Sequence, residues 1–198
     1  MLKAIFFGFH GVIINDDDIH PQLLSQLLLE ENLRFDSDEY QQMYLGRSDR
    51  AKLTAILQTR GRFVRDEYLD DLLRKKSEGY GEWLRSQSKL SLYAGLDDLL
   101  YRIRAKQYVT AIVTGGQRVD VEHVLATAKL VEQFSLIVSA SDMPVSASKP
   151  APDSYLAAID QLNLRNPELA LTPQNCLAIE SCFLVSKLLK PRRFPLWV

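Results

Sequence analysis

Cysteine is scarce in this sequence: 198 residues contain two, Cys176 and Cys182, close together near one end. A single pair builds no disulfide framework, and neither a CxxC motif nor a Cys/His cluster offers the spacing of a zinc site. Reduced thiols in a cytoplasmic setting are the expectation. Net charge is scarce too, since 24 Lys and Arg stand against 25 Asp and Glu, giving −1 at pH 7. That balance removes the electrostatic footprint of a protein drawn to nucleic acid or to an anionic membrane surface. No run approaches the roughly 20 apolar residues of a membrane-spanning helix. The mostly apolar stretch from Ala4 to Ile14 is broken by Gly8, His10 and Gly11 and runs into Asn15-Asp16-Asp17-Asp18. It reads as a buried strand and a loop rather than a signal peptide. Internal repeats and low-complexity segments are absent. What remains, at 46% hydrophobic, is ordinary globular composition of a length suited to one α/β domain or a core with a smaller insertion.

Ala4-Ile5-Phe6-Phe7 is a short apolar run bounded by glycine, the pattern of a strand covered on both faces. Similar runs recur at Tyr108 to Val113, Leu136 to Val138, Cys176 to Ile179 and, more weakly, Leu196 to Val198. Between them lie helical stripes: Leu96, Leu99, Leu100 and Ile103; Val121, Val124 and Leu125; Tyr155, Leu156, Ile159 and Leu162. Strands alternating with helices predict a parallel α/β sheet of Rossmann type, whose sites sit at the carboxyl ends of the strands. The residues to examine are therefore Gly8 to His10, Thr114 to Gly116, Ser139 to Asp142, and Glu180 with Ser181. Residues 16–91 break this rhythm. Pro21 suits a first helical position ahead of Leu23, Leu24, Leu27 and Leu28. Leu53, Ile56 and Leu57 mark a second helix ended by Gly61. Tyr68, Leu69, Leu72 and Leu73 mark a third, running into Arg74-Lys75-Lys76 at its end, and Trp83 and Leu84 a short fourth. This predicts an all-helical cap over residues 16–91, inserted into a core made of residues 1–15 and 92–198.

The segment Lys3-Ala4-Ile5-Phe6-Phe7-Gly8-Phe9-His10-Gly11-Val12-Ile13 resembles the first motif of the haloacid dehalogenase (HAD) superfamily, an apolar strand followed by Asp-x-Asp-Gly-Val. Val113-Thr114-Gly115-Gly116 is similar to the second motif and Lys149-Pro150-Ala151-Pro152-Asp153 to the third. Leu177-Ala178-Ile179-Glu180-Ser181 is similar to the fourth, which ends in two acidic residues. Leu92-Tyr93-Ala94-Gly95-Leu96 looks like the family's return from cap to core. The likeness runs over nearly the whole chain and is greatest to the β-phosphoglucomutase and phosphoglycolate phosphatase branch. It implies a Mg²⁺-dependent phosphatase or phosphomutase with an aspartate nucleophile.

The departures bear directly on that activity. Gly8 stands where the family has its nucleophile, His10 where it has its general acid/base, and Ser181 where it has a magnesium ligand. Family chemistry needs a carboxylate nucleophile and a metal to hold the phosphoryl oxygens. In hydrolases, loss of a nucleophile has cost on the order of 10⁶ in rate. Magnesium binding is expected to be weakened, with Glu180 either a weak ligand or the ion-pair partner of Lys149. What survives is a phosphate cradle: the amides of Phe9 and His10, the Thr114 hydroxyl, the Gly115 amide and the Lys149 ammonium. His10 admits three readings: a general base, a nucleophile forming phosphohistidine, or a partly buried histidine bonded to the cap loop. His20 matches a histidine of this branch at the start of the cap and reads as a hinge or capping residue. Gly46-Arg47-Ser48-Asp49-Arg50 resembles the branch's specificity loop. There Arg47 or Arg50 either reaches a second anionic group, alongside Ser48, or sits in solvent.

After the fourth motif, Phe183 to Leu189 reads as a helix, Lys190-Pro191-Arg192-Arg193 as a turn and Leu196-Trp197-Val198 as a last strand, without the family's closing helix. An open edge there would invite a protein partner or a second copy. Three functions follow. One is a phosphatase-like pseudoenzyme that binds inorganic phosphate, a phosphorylated small molecule or a protein. The second is a phosphomonoester hydrolase with residual or rerouted activity, His10 and Lys149 carrying it. The third is a scaffold subunit with a vestigial pocket.

Overall fold

The computed structural model describes all residues except Leu45, Ser148, Pro150, 182–195 and Val198. The expected helix and turn between Phe183 and Arg193 therefore lie outside the described residues. Strand β1 (Ala4–Phe7) is buried along its length and pairs in parallel with β2 (Val109–Val113) on one side and β4 (Cys176–Ile179) on the other. Strand β3 (Leu136–Val138) adds beyond β2 and β5 (Leu196–Trp197) beyond β4, all parallel, in the order β3-β2-β1-β4-β5. Alternate residues of β1 serve opposite faces, which is why its sequence carries no polar position. Ala4 and Phe6 face α7 (Asp153–Arg165), packing with Tyr155, Ala158 and Leu162. Ile5 and Phe7 face α5 (Leu96–Ala105) and α6 (Arg118–Ala128), packing with Leu100, Ile103 and Val124.

The chain leaves β1 for the helical cap: α1 (Ile19–Glu30), a short turn α2 (Ser37–Glu39) continuing as a π-helical stretch over Tyr40–Tyr44, then α3 (Asp49–Thr59) and α4 (Asp66–Ser86). These helices share a separate core of Leu24, Leu28, Leu53, Leu57, Leu72 and their neighbours. Pro21 falls two residues inside α1 rather than at its first position. The expected third and fourth cap helices are one helix of 21 residues. Gly79 and Gly81 punctuate the sequence without ending it, because tertiary packing outweighs their poor propensity. Arg74-Lys75-Lys76 is consequently mid-helix, not a charged end. Arg74 reaches Asp71 and Glu78 in solvent, while Lys76 is buried.

Sheet order reverses between β1 and β4, and the cap sits over the strand ends at that switch point, the place where open α/β sheets bind ligands. The contacts that tie cap to core there include two hydrogen bonds. The Asp49 amide donates to the Gly115 carbonyl at 3.3 Å, and the Ser77 hydroxyl donates to buried Asp120 at 3.2 Å.

Candidate functional site

A cavity of about 300 Å³ opens between cap and strand ends. It brings together Phe9 and His10 after β1, Thr114, Gly115 and Gly116 after β2, Lys149, and Glu180 with Ser181 after β4. Segments far apart in the chain and singled out by sequence thus line one space. Thr114 is buried, and its Oγ1 accepts from the Gly116 amide at 3.1 Å. Lys149 is buried as well; its ammonium donates to the Val113 carbonyl at 2.7 Å and to Glu180 Oε1, and lies 5.1 Å from the centre of the Tyr155 ring. The Tyr155 hydroxyl donates to the same Glu180 oxygen. Glu180 is thereby locked in place, with Oε2 3.0 Å from where a Cβ on Gly8 would stand.

That arrangement thins the donors for Mg²⁺ at the strand ends. A Mg²⁺ ion asks for oxygen donors, including one or two available carboxylates. Gly8 supplies none, Ser181 turns its hydroxyl to the His10 carbonyl at 3.3 Å, and Glu180 Oε1 already receives Lys149 and Tyr155. The donor set implied by the family resemblance is reduced here to Glu180 Oε2, with Asp17 as the other carboxylate on the same cavity.

The cap side is a polar cluster that the motifs did not announce. His10 Nδ1 is 2.7 Å from Asp16 Oδ2, and Tyr80 donates to that oxygen at 2.5 Å. His20 Nε2 lies 2.9 Å from His10 Nδ1, while Lys76 donates to His20 Nδ1 at 3.1 Å and to Asp49 at 2.9 Å. Burial pushes the Asp16 carboxyl up but is outweighed by the charge and hydrogen bond of His10, then by His20, so Asp16 titrates well below the usual range. Burial, then the charges of His10 and Lys76, push His20 down to about 3. Asp49 is held ionised because Lys76, Lys52 and His20 overcome its desolvation. His20 is thus a buried link between His10 and the cap helices. Among the described residues, His10, Asp16 and His20 form the one group of metal-ligating atoms gathered within 4.8 Å.

The specificity loop divides. Ser48 caps α3, its hydroxyl accepting from the Ala51 amide at 3.3 Å. Arg47 lines the cavity. Arg50 turns away to Asp66 and Asp70 and lines a second, larger cleft between α4 and α6. Asp17 also reaches the cavity, its carboxyl raised by burial and by Asp16 beside it. The cradle is therefore less positive than the motifs alone imply, because Asp17 and Glu180 face it.

Glycine at 115 lies tight against the cap. A Cβ there would lie 3.2 Å from Ser48 Cα and 3.3 Å from Arg47 O, backbone atoms that cannot turn aside. Gly115→Ala should cost about 1–3 kcal/mol, the range for overpacking. Urea denaturation checks it, and a variant as stable as wild type would show that the loop gives way freely.

The family model described as haloacid dehalogenase-like hydrolase matches residues 5–171, and the chain belongs to that family. Protein CbbY of Rhodobacter capsulatus is 26% identical over 183 residues, 90% of this chain and 77% of that protein. Among solved structures, β-phosphoglucomutase from Clostridium difficile matches with a TM-score of 0.82 at 18% identity, over 99% of this chain and 83% of the other. CbbY from Rhodobacter sphaeroides in complex with phosphate matches with a TM-score of 0.78 at 19% identity, over 99% and 85%. These likenesses share the parallel sheet and helical cap. No helix among the described residues is long and apolar enough to cross a membrane.

Proposed function

We propose that this chain is a phospholigand-binding member of its family that does not form an aspartyl-phosphate. The observation that carries the reading is Glu180: Lys149 and Tyr155 pin it against Gly8, in the space a side chain at that position would enter. In this reading residues 1–15 and 92–198 form the binding core and 16–91 the cap that closes over it. Phosphate oxygens are met by the Thr114 hydroxyl, the loop amides at Phe9, His10 and Gly115, and the ammonium of Lys149. Arg47, which makes no ion pair among the described residues, offers a guanidinium to a second anionic group. CbbY of Rhodobacter sphaeroides has been solved with phosphate and with xylulose-1,5-bisphosphate, which makes a sugar phosphate the first ligand class to try.

Calorimetric titration with phosphate and with xylulose-1,5-bisphosphate, in EDTA and then in Mg²⁺, should show saturable binding that is indifferent to Mg²⁺. Arg47→Ala should weaken the bisphosphate by roughly 10-fold or more, the worth of a hydrogen bond to a charged group, and leave inorganic phosphate nearly unchanged. Phosphate release from a panel of sugar and glycolate phosphates should not exceed that of Lys149→Ala. Turnover abolished in that variant would overturn the reading.

A second reading, phosphomonoester hydrolysis by a rerouted path, is favoured by the Asp16–His10 pair. A carboxylate that orients one ring nitrogen leaves the other to act as a general base, and His10 Nε2 has no partner. Turnover lost in both His10→Ala and Lys149→Ala would select it. Folded protein with neither turnover nor phosphate affinity would leave the scaffold with a vestigial pocket.

A further inference from the structure

We propose that His10 Nδ1, His20 Nε2 and Asp16 form a binding site for one divalent transition-metal ion of the zinc, cobalt or nickel type. The site shares His10 with the cavity that holds the phosphate cradle, but it uses the ring nitrogen and not the amide, and it does not depend on the function proposed above. It is built where β1 ends and the cap begins. His10 lies on the loop after β1, Asp16 on the connection, and His20 in the first turn of α1.

The three ligand atoms are 2.7, 2.9 and 3.4 Å from one another. A circle through them has a radius of about 1.8 Å, shorter than the roughly 2.0–2.1 Å bond from zinc to imidazole or carboxylate. An ion placed about 1 Å out of their plane is at bonding distance from all three ligand atoms where they stand.

Lys76 donates to His20 Nδ1, which puts the proton of a neutral His20 on Nε2. His10 Nδ1 must donate to ionised Asp16, so two N–H groups meet across 2.9 Å. If His10 Nδ1 is bare instead, its lone pair faces a carboxylate oxygen across 2.7 Å. If His20 carries its proton on Nδ1, that proton faces the Lys76 ammonium. That last placement satisfies the three facing atoms, provided Lys76 turns to Asp49, and it is also the placement a bound cation requires. A cation accepts all three lone pairs at once.

Asp16 has a side chain with no exposure to solvent, and its Oδ1 is buried without a hydrogen-bond partner. A bidentate carboxylate would use that oxygen as a fourth donor. Two imidazoles and a carboxylate suit borderline ions, whereas Mg²⁺ and Ca²⁺ favour sets made wholly of oxygen. Tyr80, donating to Asp16 Oδ2, orients the carboxylate from outside. Lys76 is the one neighbour that opposes the ion, since its ammonium must then turn from His20 wholly to Asp49, 2.9 Å away.

The test is a Co²⁺ titration of the full chain after EDTA treatment and desalting, in phosphate-free buffer, followed by the visible d–d bands and by competition with Zn²⁺. One equivalent should bind, Zn²⁺ should displace it, and a millimolar excess of Mg²⁺ should not. Asp16→Asn and His20→Gln, checked for native circular dichroism, should each weaken binding by about 100-fold or more, beyond the loss known for outer-shell changes. Lys76→Met should tighten it. Absence of saturable one-equivalent uptake by the folded wild-type chain overturns the assignment, and so does uptake unchanged in either ligand variant. Because no phosphate is present, this outcome is independent of the phospholigand reading.

Discussion

Glu180→Ala should destabilise the fold by about 3–5 kcal/mol, because it leaves the Lys149 ammonium buried without its carboxylate. Lys149 and Glu180 are 6% and 7% exposed, so water cannot replace the lost partner. The Val113 carbonyl still receives one Lys149 proton, but it is a neutral acceptor, and the Tyr155 hydroxyl loses the Glu180 oxygen at the same time. Lys149→Met combined with Glu180→Leu should be far milder than Glu180→Ala alone, since an apolar pair of similar volume removes both charges together. Urea denaturation of the single and double variants closes the cycle. If Glu180→Ala costs less than about 1 kcal/mol, the value of an exposed pair, the ion pair is not a buried one.

The second large effect is acid lability. His20 titrates at about 3 in the folded chain against 6.5 for an unperturbed histidine. Between those values the unfolded chain holds a proton that the folded chain does not, so stability rises with pH across the window. Stability should therefore be flat above pH 6.5 and fall as pH drops toward 3, by roughly 4 kcal/mol for one proton over that interval. Asp16 and Asp49, both held ionised in the fold, add to the loss below their unfolded value of 3.8. Denaturant unfolding in EDTA between pH 7 and 4 measures the slope. His20→Gln should remove about one proton of pH dependence. An unchanged slope in that variant would place the titrating group elsewhere.

Much of the molecule is legible in its chain. Strand β1 could be read because a strand covered on both faces leaves no position for a polar residue, and Ala4 to Phe7 has none. The cap helices could be read from their stripes, and the strand ends from the motifs that close β1, β2 and β4. The length of α4 could not. Gly79, Gly81 and the basic run at Arg74 look like punctuation locally, yet packing against α1 and α6 carries the helix through to Ser86.

The buried polar cluster left a faint trace that composition hides. His20 stands on the stripe of Leu23, Leu24, Leu27 and Leu28; Asp49 on that of Leu53, Ile56 and Leu57; Lys76 on that of Leu69, Leu72, Leu73 and Tyr80. A polar residue in register with an apolar stripe signals a buried polar group. It does not name the partner, since Lys76 meets His20 across 56 residues and Asp49 across 27.

By itself, then, the sequence determined the parallel α/β core, the helical insertion, the order of the motifs and the loss of a carboxylate at positions 8 and 181. The core and the insertion follow from the period of burial along each element, whereas the motif order and the missing carboxylates rest on the resemblance to the HAD superfamily. Only the tertiary structure decided that Glu180 fills the space beside Gly8, that Asp17 enters the pocket, and that His10, Asp16 and His20 converge. Those depend on how the cap helices pack onto the strand ends, and a distance between side chains on different elements is not encoded in the spacing of either one.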